Sequence, residues 1–103
     1  MNKQIVKIAQ DFVSKVKDRG ILISGAYLFG SYAKNHPHWG SDIDVCIVSP
    51  QFGKDTIDEM VLLAKIAHDL DLRLEPHPMN PEDMAEKYNL FAHEIKTHGI
   101  PLT

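Results

Sequence analysis

The sequence has little cysteine and no long uncharged apolar run, and each shortage excludes a class of protein. Cys46 is the single cysteine among 103 residues, so no disulfide can form within the chain and a reducing, cytoplasmic location is expected. The first twenty residues, MNKQIVKIAQDFVSKVKDRG, carry a charged side chain every few positions. A signal peptide and a membrane-spanning helix both need an unbroken apolar segment, so neither is expected.

A basic excess and the common glycine-rich nucleotide motifs are also missing. The formal net charge is −3, and a chain without a positive field is not expected to bind nucleic acid broadly. The sequence contains neither the P-loop motif G-x-x-x-x-G-K-[ST] nor the Rossmann motif G-x-G-x-x-G. The six histidines do not have the Cys/His spacing of a structural zinc site. We therefore expect these histidines to be solvated or to cap helices.

Hydrophobic periodicity predicts helices alternating with short strands in one domain, residues 1–103. Helices are expected over 3–18, 56–68, from Pro81 onward after an Asn80 cap, and over 88–98. Strands are expected over 26–29, 42–48 and 70–76, with a short edge strand in the last four residues. In the second helix, the side chains expected to face the core are Ile57, Met60, Val61, Ala64 and Ala67. The fold class is α/β or α+β, with helices covering a small mixed sheet.

Two carboxylates stand at the start of the apolar segment DIDVCIV. Residues two apart on a strand share a face, about 6.5 to 7 Å between Cα atoms, so Asp42 and Asp44 are expected to project together. Like charges this close repel each other, and a divalent cation removes that repulsion. Mg²⁺ prefers carboxylate oxygens, so the pair predicts a phosphoryl-transfer site with two ions about 3.5 to 4 Å apart. The alternative is that both aspartates lie in water at a frayed strand end.

The Gly-Ser turn before these aspartates favours the first interpretation. Gly30 allows close approach of the backbone, and Ser31 is expected to begin a short helix through Ala33. The free N–H groups of such a helix and the Ser31 hydroxyl can receive phosphate oxygens. Lys34, one turn later, is expected to lie near the phosphates.

Residues 28–48, LFGSYAKNHPHWGSDIDVCIV, resemble the hG[GS]…[DE]h[DE]h signature of the DNA polymerase beta nucleotidyltransferase superfamily, in its minimal branch. The resemblance spans most of the chain and implies a polymerase beta-like fold in a single minimal nucleotidyltransferase domain. It also implies the reaction: a nucleoside monophosphate, foremost AMP from ATP, is transferred to a hydroxyl with two Mg²⁺ ions, and pyrophosphate is released.

The resemblance further implies roles for individual residues. The catalytic, metal-binding carboxylates are Asp42, Asp44 and a third on a neighbouring strand. We predict Asp71, in LDLRLEP, as the third, and Glu75 on the same face as its substitute. The residues expected to bind the nucleotide are Gly30, Ser31, Lys34 and Ser41.

The chain departs from the family pattern directly after the turn. Many relatives have G-S-x-A-R-G where this chain has Lys34 and Asn35. Lysine keeps the positive charge but lacks the two-pronged fork that arginine offers to phosphate. Arg73 is a further candidate for the triphosphate, with a salt bridge on the sheet face as its alternative role.

The resemblance implies a protein partner as well. Minimal members of the superfamily are often encoded beside a small helical HEPN protein, as the antitoxin of a toxin–antitoxin pair, and they can adenylylate the toxin. A chain of 103 residues has little spare surface for a large acceptor, so a partner is expected to supply the hydroxyl, and an oligomer is compatible with the sequence. Two alternatives stay open: a non-catalytic antitoxin or binding module with the same fold, and transfer to a small molecule such as an aminoglycoside.

Overall fold

A computed structural model describes residues 2–34 and 42–103 and contains a four-stranded mixed sheet with helices on both faces. The helices are α1 (Lys3–Asp18), α2 (Thr56–Leu70), α3 (Pro81–Ala85) and α4 (Leu90–His98). The strands are β1 (Gly25–Phe29), β2 (Ile43–Val48), β3 (Leu74–Met79) and β4 (Ile100–Pro101). No helix in these two ranges is long and apolar enough to span a membrane. The expected mixed α/β architecture is confirmed.

The sheet brings together strands that are far apart in the sequence. Its order is β3-β2-β1-β4, with β1 antiparallel to β2 and β4, and β2 parallel to β3. A parallel pair needs a crossover connection, and α2 provides it. The resulting register places Phe29, Asp44 and Glu75 side by side in one row across three strands.

Alternation along β2 separates an apolar face from the face that carries the acidic pair. Ile43, Val45 and Ile47 are fully buried in a core cluster shared with α1 and α2. Because successive side chains point to opposite faces, Asp44 and Cys46 turn to the other face, where Cys46 packs in a second cluster with α4. Asp44 therefore lies on the face of the sheet that packs against α4, at the edge of the second apolar cluster.

The expected strand over 70–76 is wrong in its position. Helix α2 runs through Leu70, the Asp71 N–H still donates to the Ala67 carbonyl, and β3 begins only at Leu74. Leu70 and Leu72, whose alternation with charged residues predicted the strand, are 39% and 81% exposed. Alternation predicts a strand only where one face finds an apolar partner, and these two leucines find none. Asp71 is thus in the connection before β3, not on the strand.

The apolar stripe expected on α2 is wrong as a whole, although Ala67 is buried as expected. The side chains of α2 that are buried are Leu63, Ile66 and Ala67. Ile57, Met60 and Val61 are 76%, 46% and 47% exposed. Apolar side chains occupy more than one side of α2, so the helical period alone does not select the side that packs on the sheet.

Two prolines lie on the outer edge of the sheet. The carbonyls of Arg73 and Met79 accept hydrogen bonds from the β2 side at 2.8 and 2.9 Å, so the odd-numbered residues of β3 direct their backbone groups toward β2. Pro76 and Pro78 therefore fall at the positions that face outward, where an ordinary residue would expose an N–H. Edge strands with proline resist pairing with another strand, so β3 is a poor template for adding a strand from a second molecule.

Candidate functional site

Three carboxylates meet at the end of β2 and β3. Asp44 is in β2 and Asp42 directly precedes that strand, while Glu75 is the residue opposite Asp44 on β3. The Ile43 N–H donates to the Arg73 carbonyl at 2.8 Å and fixes this alignment. The parallel register, and not proximity in the sequence, brings Glu75 beside the acidic pair.

The neighbouring aspartates raise the pKa of Glu75. A hydrogen bond with Asp42 raises the pKa of Glu75, and partial burial and the negative charges of Asp44 and Asp42 raise it further, whereas His77 opposes the shift. A carboxyl group in such surroundings lacks a compensating positive charge. A bound cation would supply it.

His77 completes the cluster. Its Nε2 lies 3.3 Å from Asp44 Oδ1 and 3.9 Å from Glu75 Oε1, and its ring meets the Phe29 ring edge to face at 4.9 Å. Sequence reasoning missed this residue and expected a solvated or capping histidine. The available signal was its spacing, because His77 is two residues after Glu75 on a strand and so shares its face.

Gly30 lies directly against Asp44. Its φ is +74°, and a Cβ built at this position would overlap Asp44 Oδ2. Only glycine satisfies both the left-handed backbone and the close contact. The four residues that follow form one turn, closed by the Lys34 N–H donating to the Gly30 carbonyl at 3.1 Å. The expected short helix is therefore a single turn.

The remaining residues predicted to bind nucleotide are distributed around this turn. Ser31 is half-buried in the turn. Lys34 forms an ion pair of 2.6 Å with Glu94 of α4, and this hydrogen bond lowers the pKa of Glu94. Ser41 lies outside the described residues.

Asp71 is engaged elsewhere. Its carboxylate accepts hydrogen bonds from the backbone N–H, Nε and Nη2 of Arg73 at 2.9, 3.0 and 2.9 Å, and the side-chain bond lowers the pKa of Asp71. The salt bridge considered for Arg73 is present, but it lies in the connection before β3 and not on the sheet face. Within the two described ranges, the group of potential metal ligands that the structure brings together contains Asp44 and Glu75 but not Asp71.

The cluster fits a divalent cation. Asp44, Glu75 and His77 each offer one ligand atom, and these atoms lie within 4.8 Å of one another. An octahedral ion with bonds of about 2.1 Å places neighbouring ligands about 3.0 Å apart and opposite ligands about 4.2 Å apart. The distances from His77 to Asp44 and to Glu75, 3.3 and 3.9 Å, are close to the first and the second of these values. The uncompensated negative charge and the oxygen-rich donor set both suit the ion.

The charge repulsion within this cluster is open to measurement. Glu75→Gln is expected to raise the free energy of unfolding of the metal-free protein, since it removes one of three mutually repelling carboxylates. The gain is up to about 1 kcal/mol, because the Glu75 side chain is 51% exposed and solvent screens its charge. Urea unfolding in EDTA measures it. In the control, Mg²⁺ stabilises the parent more than the variant; a variant less stable than the parent in EDTA contradicts the prediction.

The chain is similar to a known protein family and to solved structures. The sequence model of the nucleotidyltransferase domain matches residues 5–97. A candidate nucleotidyltransferase from Sulfolobus solfataricus has a TM-score of 0.67 at 17% identity, covering 95% of this chain and 78% of its own. A toxin–antitoxin structure with AMP-PNP has a TM-score of 0.66 at 24% identity, covering 91% of this chain and 72% of its own. A mutant of the toxin–antitoxin MntA-HpeT has a TM-score of 0.66 at 22% identity, covering 92% of this chain and 72% of its own. A comparison with curated proteins found no match. At these identities the solved structures establish a shared fold.

Proposed function

Because the chain belongs to the nucleotidyltransferase domain family, we propose that it transfers AMP from ATP to a hydroxyl group of a protein and releases pyrophosphate. The observation that carries this proposal is the meeting of Asp42, Asp44 and Glu75 beside the Gly30 turn. A family member that had lost catalysis has no need to keep three repelling carboxylates in contact. Their cost to stability is understandable if they hold cations during the reaction.

In this mechanism Asp42, Asp44 and Glu75 would hold the two Mg²⁺ ions, with Glu75 in the place predicted for Asp71 as the third ligand. When bound, Mg²⁺ neutralises charge on the triphosphate and lowers the pKa of the attacking hydroxyl. The chain itself supplies positioning: the Gly30 backbone, packed against Asp44, fixes the direction of that carboxylate. Nucleotidyl transfer depends mainly on such positioning and charge neutralisation.

The turn after Gly30 holds the phosphates. Its amide groups and the Ser31 hydroxyl donate to phosphate oxygens, and Ser41 adds a second hydroxyl. Lys34 exchanges its ion pair with Glu94 for a phosphate when the nucleotide binds. That pair is partly exposed, with side chains 42% and 35% accessible, so breaking it costs little.

Exposed apolar side chains support a protein as the acceptor. A cavity of about 330 Å³ adjoins the cluster and is lined by His77, Met79, Asn89 and Phe91, among others. Tyr88 and Leu90, on either side of Asn89, are 81% and 84% exposed, and large exposed apolar groups commonly mark protein contacts. The partner we propose is a HEPN-like helical toxin in the cytoplasm, with this chain as its antitoxin. The toxin–antitoxin neighbours, one of them with AMP-PNP, support such a partner and ATP as the donor.

Labelling of a co-purified partner tests the reaction and the third carboxylate together. With ATP radiolabelled at the α-phosphate, a protein that co-purifies with the chain is expected to be labelled only when Mg²⁺ is present. Glu75→Gln is expected to lower the labelling rate roughly 10²-fold, the size of effect seen when a metal site is disturbed. Asp71→Asn is the matched control and should stay within about two-fold of the parent, because Asp71 contacts Arg73 instead. If Asp71→Asn lowers the labelling rate and Glu75→Gln does not, Asp71 is the third ligand instead of Glu75.

A non-catalytic antitoxin predicts a different outcome. It neutralises its partner by contact alone, so toxin neutralisation survives Asp42→Asn and Asp44→Asn and no label appears on the partner. The enzyme requires that neutralisation and labelling fail together in these variants.

A further inference from the structure

We propose that His77 is a direct ligand of the divalent ion held by Asp44 and Glu75, and that its nitrogen makes this site prefer Mn²⁺ to Mg²⁺. The inference rests on the proposed function, because it concerns an ion of the same site. It adds a ligand and a metal preference that three carboxylates alone do not supply.

The position of Nε2 favours coordination over a simple hydrogen bond. Nε2 lies 3.3 Å from Asp44 Oδ1 and 3.9 Å from Glu75 Oε1. Hydrogen bonds between a charged group and nitrogen are usually about 2.7 to 2.9 Å long, so neither distance is that of a tight bond. The first is close to the separation of two neighbouring ligands of one octahedral ion, about 3.0 Å, and the second to that of two opposite ligands, about 4.2 Å. One ligand atom from each of His77, Asp44 and Glu75 lies within 4.8 Å of the other two, as a shared ion requires.

Two phenylalanines hold the imidazole ring in this orientation. The Phe29 ring meets it edge to face at 4.9 Å and 69°, and the Phe91 ring lies 5.5 Å away. Phe29 and Phe91 also contact each other edge to face at 5.1 Å. Because Phe29 is in the same row as Asp44 and Glu75, the residue that fixes the ring belongs to the framework that positions the carboxylates. A ligand held in place in this way loses little conformational freedom when the ion binds.

The chemical type of the ligand atoms decides whether the site prefers Mn²⁺ or Mg²⁺. Mg²⁺ favours oxygen ligands, whereas imidazole suits transition-metal ions, and affinity for nitrogen-containing sites rises along the first-row series that begins at Mn²⁺. Mn²⁺ also accepts carboxylates and the same octahedral geometry. Two carboxylates and one imidazole therefore bind either ion but gain more from Mn²⁺.

Pulsed electron paramagnetic resonance of Mn²⁺ bound to the untagged full chain, without nucleotide, tests the ligand directly. A coordinated imidazole gives a nitrogen modulation of the Mn²⁺ signal, and leaving out ATP removes the adenine as another nitrogen source. The parent is expected to show this modulation. His77→Phe should abolish it while keeping the ring contacts with Phe29 and Phe91, and His77→Gln guards against a folding defect in the first variant. His68→Gln is the matched control, since His68 is exposed on α2 across the sheet.

Titration calorimetry with Mn²⁺ and Mg²⁺ tests the preference. Both His77 variants are expected to bind Mn²⁺ about ten-fold or more weakly and Mg²⁺ within about two-fold of the parent. Two results overturn the inference: no nitrogen modulation in the parent, or equal losses for both ions, which indicate that His77 only orients Asp44. If Mg²⁺-dependent labelling persists in either case, the proposed function stands without the inference. If neither ion binds the parent, both are overturned.

Discussion

Replacing Asp44 by asparagine is expected to lower the rate of nucleotidyl transfer roughly 10³-fold, which corresponds to about 4 kcal/mol of transition-state stabilisation. Asp44 lies at the centre of the contacts that the structure gives for this site. It contacts the Gly30 backbone and His77 and lies opposite Glu75. Asparagine keeps the size of the side chain and removes the charge that we propose binds the cation. The loss is thus chemical, with no void left in the structure.

The rate is measured with labelled ATP and the co-purified partner, and the fold with circular dichroism. We expect an unchanged spectrum and a Tm equal to or above that of the parent, because one of three repelling charges is gone. Asp58→Asn is the control: Asp58 is an exposed acid in the first turn of α2, and its loss should leave the rate unchanged. An Asp44→Asn protein that transfers AMP as fast as the parent would falsify metal-dependent catalysis at this cluster.

Gly30→Ala is expected to affect both stability and activity. Alanine at φ +74° costs about 1 to 2 kcal/mol from the left-handed backbone alone. The new methyl group would also overlap Asp44 Oδ2, so that carboxylate has to turn away from Glu75 and His77. We therefore expect a loss of about 2 to 4 kcal/mol in the free energy of unfolding, and a decrease in transfer rate of about 10²-fold in the protein that remains folded.

Gly20→Ala separates these two contributions. Gly20 has a similar φ of +84°, but a Cβ there meets nothing within 4 Å. It should therefore show the backbone cost and no effect on Mg²⁺ binding or transfer. Urea unfolding of both variants, with Mg²⁺ titrated into each, gives the comparison. Equal losses of stability and equal Mg²⁺ affinities in the two variants mean that the contact between Gly30 and Asp44 is unimportant.

Local sequence signals predicted much of this fold. The helix over 3–18 was expected from its apolar spacing and is observed with those bounds, and the Asn80 cap with Pro81 in the first turn also begins a helix as expected. Each of these signals depends on residues within one or two turns of each other. Over residues 70–73, where alternation predicted a strand, α2 instead continues through Leu70 and β3 begins only at Leu74.

The sequence by itself determined the adjacent elements of the site: the Asp42–Asp44 pair at the start of a strand and the glycine turn before it. Only the tertiary structure decided which other side chains join them. Glu75, not Asp71, lies beside Asp44, and His77 joins the same group. The physical reason is that the register between parallel strands is set by packing of the crossover helix and by hydrogen bonds between distant residues. Periodicity along one segment does not contain that information.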